Sequence, residues 1–190
     1  MFEYIKDDYR RCLFIDEDSQ KPLKSFLRVL FLYPGFQILL IYRFGRWLLE
    51  LKKWKFTYLL SLVLFPIYIL LYMFGRYLFD INISIEADIG KGFYIGHYMG
   101  IEVGPCKIGE YCSIHQHVKI NSDITSPTLI GDRVWIGSHS TVEKGVVLAD
   151  GVTISGGTYI DFSVHGDSLL IGRPAKIIMK SFNNNDLLCI

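Results

Sequence analysis

The chain has 190 residues, with 20 basic and 19 acidic side chains, a formal charge of +1, and 51% apolar residues. That length suits one compact domain with an appendage. The near-neutral balance offers no cationic excess for a polyanion and argues against nucleic acid as a partner. Charge is unevenly spread: residues 1–80 carry 12 basic against 8 acidic side chains (+4), and residues 81–190 carry 8 against 11 (−3). A basic, apolar front half points to a membrane surface. Cys12, Cys106, Cys112 and Cys189 form no CxxC pair, and no cleavable signal peptide is visible. Both features fit reduced thiols in the cytosol.

The front half reads as helical. Tyr4 to Phe14 predicts a short helix, broken by Asp16, Glu17, Asp18 and Ser19. Pro22 can open a second helix that runs to about Leu32. Pro34-Gly35 interrupts again. Phe36 to Trp54 follows, with Arg43, Arg46 and Glu50 spaced along one helical face. Lys52, Lys53 and Lys55 make a basic turn before FTYLLSLVLFPIYILLYMFG, residues 56–75, which holds no charge. That run is long enough to cross a bilayer. A crossing would put the lysine turn and the back half on opposite sides, whereas the basic side belongs in the cytoplasm. A hairpin of two helices dipping into one leaflet, or lying along it, with the second bent at Pro66, keeps both on the cytoplasmic face of the membrane. The competing reading is a helix buried in an oligomer core.

The back half changes period. Aliphatic residues recur every six positions at Ile83, Ile89, Ile95 and Ile101. After one extra residue they continue at Ile108, Ile114 and Ile120. Beyond the loop NSDITSPTL they resume at Ile130, Ile136, Val142, Leu148, Ile154 and Ile160. Small or β-branched residues often stand four positions after each aliphatic, among them Cys112, Val118, Val134, Ser140, Val146, Val152 and Thr158. A six-residue period fits neither an α-helix nor a hairpin sheet. It is the mark of a parallel β-helix, in which three hexads make one triangular coil and stacking buries columns of aliphatics. The expected architecture is mainly β. About four coils span residues 81–180, a helical, partly membrane-associated region spans 1–80, and a tail spans 181–190.

Several stretches carry a family resemblance: DYRR near the start, LYPGFQILLIYRFGRWL, IGKGFYIGHYMGIEVGP, IGEYCSIHQHVKIN, IGDRVWIG and IGRPAKII. The back half resembles the left-handed β-helix acyltransferases. More narrowly, the chain resembles serine O-acetyltransferases and the related O-acetyltransferases of bacterial surface polysaccharides. The resemblance implies a left-handed coil, assembly as a homotrimer or a dimer of trimers, acetyl-CoA as donor, and no metal.

Stacking lets the surface be read by position within the hexad. Two residues after the aliphatic stand His97, Gln116, Ser138 and Gly156; three after it stand Tyr98, His117, His139 and Gly157. Acetyl transfer to an alcohol needs a base for the hydroxyl proton, which imidazole supplies near neutrality. It also needs donors for the developing oxyanion. The resemblance places the base at His97, within GHYMGI, and sets Gln116 near the acceptor, where His117 and Glu102 are further candidates. The family's orienting acid, fifteen positions upstream of the histidine, is here Asn82, whose amide oxygen can accept from the ring N–H. Asp80 and Glu102 are substitutes. The acid that serine enzymes carry just before the histidine is here Gly96, and the loop at 121–129 lacks their further histidine.

For the coenzyme, Gly156 and Gly157 offer bare backbone to a pantetheine arm, with Ser138 and His139 alongside and Trp135 either near it or against a neighbouring subunit. Arg173 and Lys176 in IGRPAKI are candidates for its phosphates, or else cap the last coil. These departures favour a saccharide or lipid-linked glycan acceptor, with serine O-acetylation as the alternative. A zinc site built from His115, His117 and His139 across a subunit interface, as in β-helix carbonic anhydrases, and a non-catalytic scaffold are more distant readings.

Overall fold

The computed structural model describes residues 1–15, 22–54 and 56–189, apart from the side chains of Phe14, Ile15, Pro22 and Leu23. The expected break at Asp16–Ser19 and the contribution of Lys55 to the basic turn lie outside the described residues. Four helices lead: α1 (Phe2–Ile15), α2 (Pro22–Leu32), α3 (Pro34–Lys52) and α4 (Tyr58–Phe79). Pro34 occupies the first turn of α3, where its missing N–H costs nothing. The apolar run forms α4 as one assigned helix through Pro66. It reaches four residues beyond the expected end at Gly75, to a left-handed C-cap at Asp80 (φ 52°).

Short strands follow: β1 (Ile81–Ile83), β2 (Asp88–Ile89), β3 (Tyr94–Ile95), β4 (Ile101–Val103), β5 (Lys107–Ile108), β6 (Ser113–Ile114) and β7 (Lys119–Ile120). After the loop come β8 (Leu129–Ile130), β9 (Trp135–Ile136), β10 (Thr141–Val142), β11 (Val147–Leu148), β12 (Thr153–Ile154), β13 (Tyr159–Ile160), β14 (Leu169–Ile171) and β15 (Lys176–Met179). They stack as three parallel faces, β1-β4-β7-β10-β13, β2-β5-β8-β11 and β3-β6-β9-β12-β14, with β15 added antiparallel to β14. This is the triangular prism that the hexads predict. All thirteen hexad aliphatics are buried, from Ile83 to Ile160. Corners turn through left-handed residues three positions after the aliphatic, as at Gly92, Tyr111, Arg133 and Gly151 (φ 54–70°).

One corner differs. Ile114 to Ile120, Ile136 to Val142 and Ile154 to Ile160 each span one hexad, but Ile83 pairs with Val103, not with Ile101. Ile101 pairs with Ile81 and is itself fully buried. The corner after β3 is therefore two residues longer than its counterparts, and the extra length lies before Ile101, not after it.

Helix α3 caps the mouth of the prism. Ile38, Leu39 and Tyr42 join its core, and a Cβ on Gly35 would sit 2.5 Å from the Ile95 carbonyl oxygen. Asp8 of α1 and Arg43 of α3 form a buried ion pair (3.0 Å). Arg43 also donates to the Ile89 and Gly90 carbonyls, and Asp8 accepts from the Phe93 N–H. The DYRR and YRFGR segments thereby fasten the helices to the first coil. Arg11 extends the join by donating to the Tyr111 carbonyl and to Ser113 Oγ. Helix α4 packs along α3 through Ser61, Tyr68 and Gly75, a single stripe with seven-residue spacing.

Candidate active site

The lengthened corner carries His97. Backbone hydrogen bonds fix the alignment: Gly96 N–H donates to the Ile114 carbonyl, and His117 N–H donates to the Met99 carbonyl. One coil later His139 N–H donates to Gln116, and next Gly157 N–H donates to Ser138. Met99 and Gly100 thus occupy the positions that Gln116 and His117 hold in the second coil. His97 and Tyr98 are the two inserted residues. This corrects the expectation that His97 aligns with Gln116 and Tyr98 with His117. Tyr98 instead packs edge-on against Phe79 of α4 (centroids 5.5 Å). The left-handed column reads Gly100, His117, His139, Gly157, with φ between 57° and 72°. Histidine is one of the few non-glycine residues enriched in that conformation. The rings of His117 and His139 stack at 4.5 Å. A Cβ on Gly100 would strike the His117 ring.

His97 projects into solvent from this insertion. Among the described residues its one aromatic ring contact is with His115, at a centroid distance of 6.4 Å. His115 is half-buried and packs on Trp135 (4.8 Å). Burial first, and the His97 charge second, hold its pKa below the usual imidazole value. A Cβ at position 96 would lie 2.6 Å from both Cε1 and Nδ1 of His115. The glycine in place of an acid is therefore the space that the His115 ring needs.

No hydrogen bond joins Asn82 to His97 among the described residues. The Asn82 amide oxygen accepts from the Tyr72 hydroxyl of α4. Glu102, its cross-strand partner, lies 3.4 Å from the Lys119 ammonium, and the Asp80 carbonyl accepts from Ile101 N–H. Asn82 and Glu102 instead border a cleft of about 790 Å³ between α4 and the first coils, lined also by Tyr68, Tyr72, Asn121 and Lys144. Sequence reasoning missed this cleft and Tyr72, because a tyrosine inside an apolar run gives no sign of facing a strand.

At the coenzyme candidates, Gly156 is exposed, and a Cβ on Gly157 would meet nothing within 4 Å, so both leave open backbone. Ser138 and Gln116 are half-buried, and Gln116 Oε1 is buried without a partner. Arg173 donates to the carbonyls of Gly157 (2.6 Å) and His139 (2.8 Å), which spends much of its guanidinium on closing the last coil. Lys176 is exposed on β15. The zinc reading sets its histidines across a subunit interface; within the chain His115 packs on Trp135, while His117 and His139 stack. Among the described residues no group of three or more His, Cys, Asp or Glu is placed to hold a metal.

A family model, bacterial transferase hexapeptide (six repeats), matches residues 127–161. A serine acetyltransferase of Synechococcus elongatus is 30% identical over 187 residues, covering 95% of this chain and 70% of that protein. Two solved structures share the fold. Soybean serine acetyltransferase complexed with serine has a TM-score of 0.73 and 23% identity, over 93% of this chain and 68% of that one. Serine acetyltransferase of Brucella abortus in complex with coenzyme A has a TM-score of 0.73 and 21% identity, over 94% and 68%. The chain thus belongs to the serine acetyltransferase family of hexapeptide-repeat O-acetyltransferases.

Proposed function

We propose that this chain transfers the acetyl group of acetyl-CoA to the hydroxyl of serine, with His97 as general base. The observation that carries the reading is the match to serine acetyltransferases across 95% of the chain, which includes the inserted corner and its solvent-facing imidazole. It reverses the preference for a saccharide that the Asn82 and Gly96 departures suggest. In the proposed step His97 takes the hydroxyl proton as the serine oxygen attacks the thioester carbonyl. The tetrahedral oxyanion then collapses, the C–S bond breaks, and the coenzyme thiolate recovers the proton from the imidazolium. Such a base typically contributes about 10²–10⁴-fold, and holding both substrates in place adds more. Lys176 is the better candidate for the coenzyme phosphates, since Arg173 is engaged by carbonyls.

One observation favours a sugar hydroxyl as a second reading: the cleft at Asn82 and Glu102 has the size of a site for a drug-sized ligand, larger than serine needs. Incubation of the full chain with acetyl-labelled acetyl-CoA, serine and a membrane glycolipid extract separates the two. Label in O-acetylserine supports the first reading, and label confined to glycolipid overturns it.

A further inference from the structure

Helix α4 has a second face that the acetyl-transfer reading does not use. Its one buried stripe, Ser61, Tyr68 and Gly75, faces α3. Almost directly opposite run Leu59, Val63, Pro66, Leu70, Phe74 and Tyr77, spaced three, four or seven residues apart on one side of the helix. Leu59, Val63, Leu70, Phe74 and Tyr77 are 60–82% exposed. Before Tyr77 this ridge has no side-chain donor or acceptor. Protein interfaces carry about one hydrogen bond per 100–200 Å², so a ridge without polar groups suits a fluid apolar partner better than a second copy. Its flanks match a lipid surface: exposed Lys52, Lys53, Trp54 and Phe56 precede the helix and Arg76 lies near its end. Glu50, paired with Lys53, is the one acid at that entry.

We propose that α4 beds the protein in the plane of a lipid bilayer, in one leaflet, without crossing it. Length and apolar character alone would allow a crossing: α4 has 22 residues with a mean hydropathy of 2.0 over its most apolar window. Packing argues against it. Tyr68 meets Gly45 of α3, Tyr72 bonds Asn82, Gly75 meets Ile38, and Phe79 meets Tyr98. Residues 68–79 are therefore tied to α3 and the first coil. Apart from Ser61 against α3, residues 58–67 lie outside these ties, about 15 Å of helix against a hydrocarbon core of about 30 Å. Apolar burial along the ridge, with attraction of the lysines to anionic headgroups, supplies the attachment.

The test is flotation of the full chain with vesicles of phosphatidylcholine, alone and mixed with phosphatidylglycerol. The chain should float with both, more with the anionic mixture, and lose that increment at high salt. The triple variant Leu59→Glu/Val63→Glu/Leu70→Glu should lose vesicle binding by about tenfold or more, with its oligomeric state and its acetyl transfer in detergent unchanged. Failure of the wild type to float, or undiminished flotation of the variant, overturns the proposal. So does a variant that dissociates an oligomer, since a second copy would then cover the ridge. With Cys189→Ser as background, Lys53→Cys before the helix and Glu86→Cys after it, both at exposed positions off the ridge, should both react with an impermeant maleimide added outside the vesicles. Reaction of only one of them would mean that the helix crosses.

Discussion

Adding a single methyl group at position 96 tests how the site is built. In Gly96→Ala the new Cβ would lie 2.6 Å from two atoms of the His115 ring and 3.2 Å from Tyr94 Cε1. The first contact is far inside van der Waals range, so the imidazole must move. It also packs against Trp135, at 4.8 Å between ring centroids. Overpacking of this kind costs about 1–3 kcal/mol. At about 2–4 °C per kcal/mol for a chain of this size, that is a fall of roughly 2–12 °C in Tm. Removing the ring should remove the clash, so Gly96→Ala/His115→Ala should be more stable than the sum of the single changes predicts, by about 0.5–3 kcal/mol. Urea unfolding of the four proteins measures the coupling. Additive effects, or a Gly96→Ala protein as stable as the parent, would refute the view that His115 dictates glycine at 96.

Two further outcomes follow from named contacts. Arg43→Met leaves the Asp8 carboxyl buried without its partner, and should cost about 3–5 kcal/mol in urea unfolding, much of it restored by adding Asp8→Asn. Because His115 has a depressed pKa, the unfolded chain binds more protons than the folded one as pH falls through the ordinary imidazole value near 6.5. Stability contributed by neutral His115 is full above that pH and lost below it. His115→Gln should flatten the decline in Tm between pH 7 and pH 5.

The prism was legible because a triangular coil writes its burial into a fixed period. Each of the thirteen aliphatics points inward, and the small residues four positions later, such as Cys112 and Val134, fill the gaps between columns. The inserted corner was not legible, for a physical reason. Ile101 and Val103 both face the core, one over Ile81 and one over Ile83, so an aliphatic stands six residues after Ile95 whether or not residues are inserted. Only main-chain pairing shows that His97 and Tyr98 are the additions. The GHYMGI motif singles out the histidine at 97 but says nothing of its surroundings. Asn82 turns to Tyr72, and the glycine at 96 makes room for His115, which lies nineteen residues away in sequence and one coil away in space. The four-helix segment was legible in its number and placing of helices. The Asp8–Arg43 pair behind its attachment joins residues 35 positions apart and has no local signature.

The proposed chemistry rests on one proton transfer at His97. The most direct measurement is thiol release from acetyl-CoA in the presence of serine, by the intact chain and by His97→Ala, with circular dichroism and oligomeric state measured on both. The account predicts serine-dependent release that falls by about 10²–10⁴-fold in a variant with an unchanged fold. Near-normal turnover by His97→Ala would contradict it.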